Sequence, residues 1–144
     1  MNRLPPILLA VSLLLPACGR SPEEEATGAQ AVVDAFLTAA SSGEGNRGWE
    51  YLSPATQASL FNSDFEAYRR AADAAEWDAF EWEVINVERD EPGLYQVVIR
   101  QVPDMPAFVD RFTSWEGGLL TGGPTFLVRF IDLTGPPRIH QRDT

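Results

Sequence analysis

The residue with the clearest chemical role is Cys18, the only cysteine in the 144-residue chain. It follows an apolar stretch at residues 7–15 and then Pro16 and Ala17, and Arg3 places a positive charge in front. This is the layout of a secretory signal peptide, which has a basic start, a short apolar core and small residues at the cleavage site. The sequence therefore predicts an export signal over residues 1–17.

A cysteine at the cut makes this segment resemble a bacterial lipoprotein signal with its lipobox. The resemblance implies cleavage before Cys18, acyl chains on its thiol and a lipid anchor on the extracytoplasmic side of a membrane of the cell envelope. Two alternatives stay open: a plain secreted protein cleaved near Ala17, and an uncleaved chain in which Cys18 is a buried structural residue. The apolar core is shorter than the roughly 20 residues that span a bilayer.

Catalytic and cofactor-binding residues form no recognisable group downstream. His140 is the only histidine, so no His/Cys metal cluster can form, and we predict no metal, no cofactor and no catalytic residue. Phosphate loops, dinucleotide fingerprints and G-x-S-x-G serines are also missing from the sequence. Asp110 is the best lone carboxylate, although Arg111 beside it offers an ordinary structural explanation, and Asn86 and Gln101 could point inward.

The net charge of the chain bears on two kinds of partner, nucleic acid and anionic lipid. The formal net charge is -10 at pH 7, and all 11 basic residues are arginines that form no cluster. An acidic surface of this kind argues against nucleic acid and against electrostatic docking on anionic lipid. Membrane attachment would then depend on the acyl chains, of which two or more are needed for stable anchoring.

The apolar pattern predicts helices in the first half of the chain. Residues 18–28 (Cys18 and then a polar, acidic stretch) are predicted as a flexible tether, with an ordered N-terminal extension as the alternative, and the domain is predicted over residues 29–144. Ser53-Pro54 is typical of a helix start, and Ser63 with Glu66 has the form of a capping box. The predicted helices cover residues 25–42, 46–52, 54–61 and 64–75.

Strands follow the helices. Alternation begins at Phe80 and Trp82 and breaks at Val84-Ile85, which predicts a bulge. Later strands are predicted over residues 94–102, 125–133 and 138–141, with a short buried helix after Pro106. This order predicts an α+β fold with an antiparallel sheet.

Two stretches carry a family resemblance. Residues 31–37 with Tyr51-Leu52-Ser53-Pro54-Ala55-Thr56, and residues 127–132 with Arg138-Ile139-His140, resemble the opening helix and closing hairpin of the NTF2-like superfamily. The resemblance implies a cone in which N-terminal helices pack on a curved sheet. Pro137 stands where that hairpin often carries Trp.

Strand alternation predicts which side chains face the helices. Many of them are aromatic, which suits either a plain core or an apolar ligand pocket. The candidate pocket-lining residues are Phe65, Tyr68, Phe80, Trp82, Tyr95 and Phe126. On the outer sheet face, Val98, Val102, Leu127, Ile131 and Leu133 form a predicted apolar patch, which either serves a homodimer or an envelope partner or is covered by other parts of the chain.

Three functions remain open. The first is a non-enzymatic lipid-anchored domain that binds a small apolar ligand or a protein partner. The second is an isomerase or hydrolase that uses a carboxylate inside the cone, with a raised pKa. The third is an assembly or scaffold subunit that acts through the outer sheet face.

Overall fold

The computed structural model describes residues 21–43, 45–78, 80–102 and 105–132. Cys18, His140, Leu133 and the predicted last strand lie outside these residues. The described elements run in the order of four helices, two strands, a fifth helix and two further strands. Helices thus precede most of the sheet, and the predicted α+β class is confirmed.

The first helix, α1 (Pro22–Ser41), begins earlier than predicted. Ser21 caps it by accepting the Glu24 amide at 3.3 Å, Pro22 occupies its first turn, and three glutamates there suit the positive end of the helix dipole. Residues 22–24 are therefore helical where the sequence predicts only a flexible tether, and residues 25–28, which both predictions cover, belong to the helix. The acidic stretch that suggested a tether is the N-terminal turn of the helix.

Three short helices follow: α2 (Gly45–Tyr51), α3 (Pro54–Phe61) and α4 (Phe65–Asp73). Ser53 caps α3 as predicted. The cap of α4 is Asp64, which accepts the Glu66 amide at 2.9 Å, and not the predicted Ser63. Ser63 has a φ of 57°, in the left-handed region, whereas a capping residue adopts the extended conformation that Asp64 has.

A long antiparallel hairpin forms the next unit. Strand β1 (Glu81–Glu91) pairs with β2 (Leu94–Val102) through a turn at Pro92-Gly93, where Gly93 has a φ of 81° that favours glycine. The register shifts between Val84 and Asn86, which confirms the predicted bulge, and it shifts again between Arg89 and Glu91.

The sheet is mixed, and the prediction of an antiparallel sheet is wrong in this respect. The order of the strands in the sheet is β1-β2-β4-β3. Strand β4 (Leu127–Asp132) pairs with β2 in parallel and with β3 (Leu120–Thr121) in antiparallel orientation. The connection from β2 to β4 contains α5 (Ala107–Thr113) and β3, and it is long enough to bring the chain back in the same direction. Phe108, Val109 and Phe112 of α5 are buried as predicted.

The core lies between α1 and the sheet. This helix contacts all four strands, and its buried face includes Val33, Phe36 and Leu37. The sheet contributes the residues predicted to face inward, among which Val97, Ile99, Val128 and Phe130 are fully buried. The domain is therefore organised around one aromatic-rich core cluster.

Candidate functional site

The candidate pocket-lining residues all lie in or against the core. Tyr68, Phe80, Tyr95 and Phe126 are buried, and Phe65 and Trp82 are half-buried. Four of the six belong to one run of contacting rings. Phe65 stacks on Tyr68, and Phe80 stacks on Trp82 with ring centroids 5.6 Å apart.

Two residues outside the candidate set join these pairs. Phe108 of α5 lies 5.6 Å from Tyr68 and 5.6 Å from Trp77, and Trp77 lies 5.8 Å from Phe80, all between ring centroids. The aromatic side chains thus contact one another across the space between α4, α5 and the start of β1. These rings belong to the core cluster or pack against it.

Tyr95 and Phe126 form a separate pair near the start of α1. Their rings are perpendicular, with centroids 5.7 Å apart. The Tyr95 hydroxyl donates to Glu25 Oε2 at 2.7 Å and lies 3.4 Å from the Pro22 carbonyl oxygen. This contact joins the first turns of α1 to β2, and the sequence does not predict it because 70 residues separate the partners.

Asp34 is a carboxylate on the inward side of α1, and the sequence analysis does not single it out. It is half-buried and accepts a hydrogen bond from Trp82 Nε1 at 3.0 Å, across 48 residues. Glu25 and Asp34 are therefore both engaged by aromatic donors that hold α1 on the sheet. Each of these hydrogen bonds engages one oxygen of its carboxylate.

Tyr68 carries an unpartnered polar atom within this core. Its side chain is fully buried, and its hydroxyl has no hydrogen-bond partner. Burial raises the pKa of the Tyr68 hydroxyl far above its ordinary value, and the charge of Asp73 raises it further. Burial is also the largest cause of the raised pKa of Tyr95, and the hydrogen bond to Glu25 and the charge of Glu25 raise this pKa further.

These two tyrosines predict a loss of stability in alkali. The unfolded chain releases their protons near pH 10, about the ordinary tyrosine pKa, whereas the folded chain keeps them to higher pH. Stability is unaffected by these two groups below about pH 10, where both states keep the protons, and it falls as the pH rises from there through the folded pKa values. Denaturant titrations at increasing alkaline pH should show this fall, and Tyr68→Phe and Tyr95→Phe should each flatten it. An unchanged pH dependence in both variants would contradict the assignment.

A buried hydroxyl network fixes the start of α3. Ser53 Oγ and Thr56 Oγ1 lie 2.8 Å apart, and each contacts the Gly118 carbonyl oxygen, at 2.8 Å and 2.6 Å. Ser53 Oγ also accepts the Thr56 amide, and the Ser53 amide donates to the Leu119 carbonyl oxygen. The helix cap predicted from Ser53-Pro54 is thus also a tertiary contact with the chain before β3.

Removing one hydroxyl from this network should be costly. We expect Thr56→Val to lower the free energy of unfolding by about 1–3 kcal/mol, because Val keeps the shape and loses the buried hydrogen bonds. Thr38→Val, an exposed position in α1, is the matched control and should change stability by less than about 0.5 kcal/mol. Equal effects of the two substitutions in chemical denaturation would show that the network contributes nothing.

The outer sheet face is less apolar than predicted. Val98 is only 5% exposed, and its neighbours across the sheet are Asn86 of β1 and Ile131 of β4. Ile131 is half-buried, and Leu127 and Ile85 are exposed at 39% and 37%. In the described part of the sheet, the exposed apolar area of this face is therefore small, and the side chain of Val102 lies outside the described part.

The polar residues considered at the sequence level are not brought together. The expectation that Asn86 could point inward is wrong. Asn86 is exposed because the bulge at Ile85 shifts the alternation of the strand. Its side-chain amide donates to Glu88 Oε1 at 2.7 Å. Asp110 is half-buried in α5, and Arg111 is exposed. The side chain of Gln101 lies outside the described residues.

One open depression, of about 510 Å³, lies on α1. Its lining includes two glutamates and small residues, namely Glu23, Glu24, Thr27, Gly28 and Ala31. Among the described residues, no group of three or more His, Cys, Asp or Glu side chains could hold a metal ion. Within that same part of the chain, no helix has the length and apolar character needed to cross a bilayer.

Comparisons of this chain with protein-family models, with curated proteins and with solved structures found no match.

Proposed function

We propose that the chain is a lipid-anchored protein of the cell envelope whose domain binds a partner and does not catalyse a reaction. The observation that carries this proposal is the position of Cys18, the only cysteine, at the end of a short apolar segment with a basic start. Acyl chains on that thiol would hold the domain outside the cytoplasm.

The packing of the domain supports a binding role. The aromatic side chains that could have lined a ligand pocket contact one another between α4, α5 and β1. Asp34 and Glu25 accept hydrogen bonds from Trp82 and Tyr95, which gives both carboxylates a structural role in holding α1 on the sheet. Of the two ligand classes, a protein partner therefore suits this domain better than a small apolar molecule.

We also propose that the domain is an NTF2-like cone. Its support is the packing of α1 against all four strands and the placement of four helices before the first strand. The parallel pairing of β2 with β4 is a feature that the sequence resemblance alone did not predict.

Substitution of the thiol tests the anchoring. In cells grown with a clickable palmitate analogue, the wild-type chain should be labelled and should sediment with membranes. Cys18→Ser should lose the label and should be released from the membrane fraction, because no other residue of the chain offers a thiol. Ser21→Ala, which leaves Cys18 intact, is the control and should keep both properties. Labelling and sedimentation of Cys18→Ser at the wild-type level would remove the lipid anchor.

A further inference from the structure

One end of the domain gathers the start of α1 and two chain turns. The Tyr95 hydroxyl lies within hydrogen-bonding distance of the Pro22 carbonyl and the Glu25 carboxylate, and the Tyr95 ring packs on Phe126. The Leu127 amide donates to the Gly93 carbonyl at 2.8 Å, which brings the β1–β2 turn to the same place. We call this the anchor end: residues 21–25, 90–93 and 122–126.

The anchor end lies very close to Cys18 along the chain. Ser21 is the helix cap and Pro22 the first helical residue, so the connection that remains is short. Three residue steps of about 3.8 Å allow at most about 11 Å between the Cα atoms of Cys18 and Ser21. The helix that continues from this point is fixed in the core by Ala29, Val33 and Phe36, each with no exposed surface.

We propose that acylation of Cys18 holds the anchor end against the bilayer surface and keeps the far end of α1 away from it. The proposal rests on the lipid anchor proposed above. With 20 residues, α1 is about 30 Å long, so Ser42 at its far end lies well beyond the reach of the connection.

The exposed side of α1 offers nothing that would hold it flat on a membrane. Its exposed residues include Glu23, Glu24, Thr27, Gln30 and Thr38, with no basic and no large apolar side chain among them. Interfacial helices need both kinds of side chain. Asp90 and Glu91 are exposed at the anchor end and would be repelled by anionic lipid, so contact of this end with the bilayer depends on the acyl chains. On the described surface of α1, then, nothing besides the short connection would attach the helix to a bilayer, and this connection acts at one end.

This geometry determines which surfaces a partner can reach. The bilayer covers the β1–β2 turn and residues 122–126, and a partner approaches the far end of α1 or the sides of the domain.

Two single-cysteine labels test the orientation. In the acylated protein the Cys18 thiol is occupied, so Thr125→Cys at the anchor end and Ser42→Cys at the far end each provide one free thiol for a fluorophore; both positions are exposed. The labelled, acylated proteins are reconstituted into phosphatidylcholine vesicles that contain a lipid with a nitroxide on its headgroup. We expect the label at position 125 to be quenched several-fold more strongly than the label at position 42.

A lengthened connection is the matched control. Insertion of about twenty Gly and Ser residues between Arg20 and Ser21 adds an r.m.s. reach of about 25 Å, which should abolish most of the difference between the two labels. Equal quenching with the native connection, or a difference that survives the insertion, would overturn the orientation. Failure of the wild-type protein to float with the vesicles is a separate result, and it would overturn the anchor itself.

Discussion

Phe36→Ala should lower the free energy of unfolding by about 3–5 kcal/mol, the largest loss that we expect from a single truncation. The Phe36 side chain is fully buried at the centre of the core. Its ring lies 5.1 Å from Phe112, 6.2 Å from Phe108 and 6.3 Å from Phe130, between centroids. Truncation would leave a cavity between α1, α5 and β4 that these rigid rings cannot close.

The loss is large relative to the total stability of the domain. With one cysteine the domain has no internal disulfide, so its stability depends on core packing. Domains of this kind are stable by about 5–15 kcal/mol, and the loss of Phe36 would remove a large part of that. Guanidinium denaturation followed by tryptophan fluorescence measures the change.

Phe65→Ala is the matched control for Phe36→Ala. Phe65 is half-buried at the start of α4, where its ring contacts Trp49 and Tyr68. Because solvent can fill part of the space, its truncation should cost less than half as much. An equal or smaller cost at Phe36 would show that the core is not centred on this ring.

Gly48→Ala should destabilise the domain by about 1–3 kcal/mol, although alanine is the better helix former. Gly48 is buried in α2, and a Cβ added there would collide with the Tyr68 hydroxyl. Tyr68 cannot easily move aside, because its ring is enclosed by Trp49, Phe61 and Phe108.

A double-mutant cycle with Tyr68→Phe isolates this contact. The Tyr68 hydroxyl has no hydrogen-bond partner, so Tyr68→Phe alone should be neutral or stabilising. In the Tyr68→Phe background most of the cost of Gly48→Ala should disappear, and only the 3.2 Å approach of the new Cβ to Cζ would remain. Additive effects of the two substitutions would contradict the collision.

The local features of the fold could be predicted from the sequence. The second strand of the hairpin is predicted over residues 94–102, as the structure has it, and the break in alternation at Val84-Ile85 predicts the bulge. The apolar spacing after Pro106 predicts the buried face of α5. Each of these features is determined by residues close to it in the sequence, within about one helical turn or a few strand residues. Hydrophobic periodicity detects structure over this short range.

Other features depend on the path of the whole chain and could not be predicted this way. The parallel pairing of β2 with β4 is set by the connection that contains α5 and β3. The tether prediction failed because an acidic, polar stretch has the composition of a linker, while Ser21 and Pro22 make it a helix start. At the candidate site, the contacts of Asp34 with Trp82 and of Glu25 with Tyr95 join residues that no local pattern relates.

The lipid anchor is the central claim, since the proposed location, the orientation of α1 and the surfaces open to a partner all depend on it. Intact-mass analysis of the protein purified from its membrane tests it most directly. We predict a chain that begins at Cys18 and carries the added mass of acyl chains on that residue. A chain that begins at Met1 with an unmodified Cys18 thiol would contradict the account.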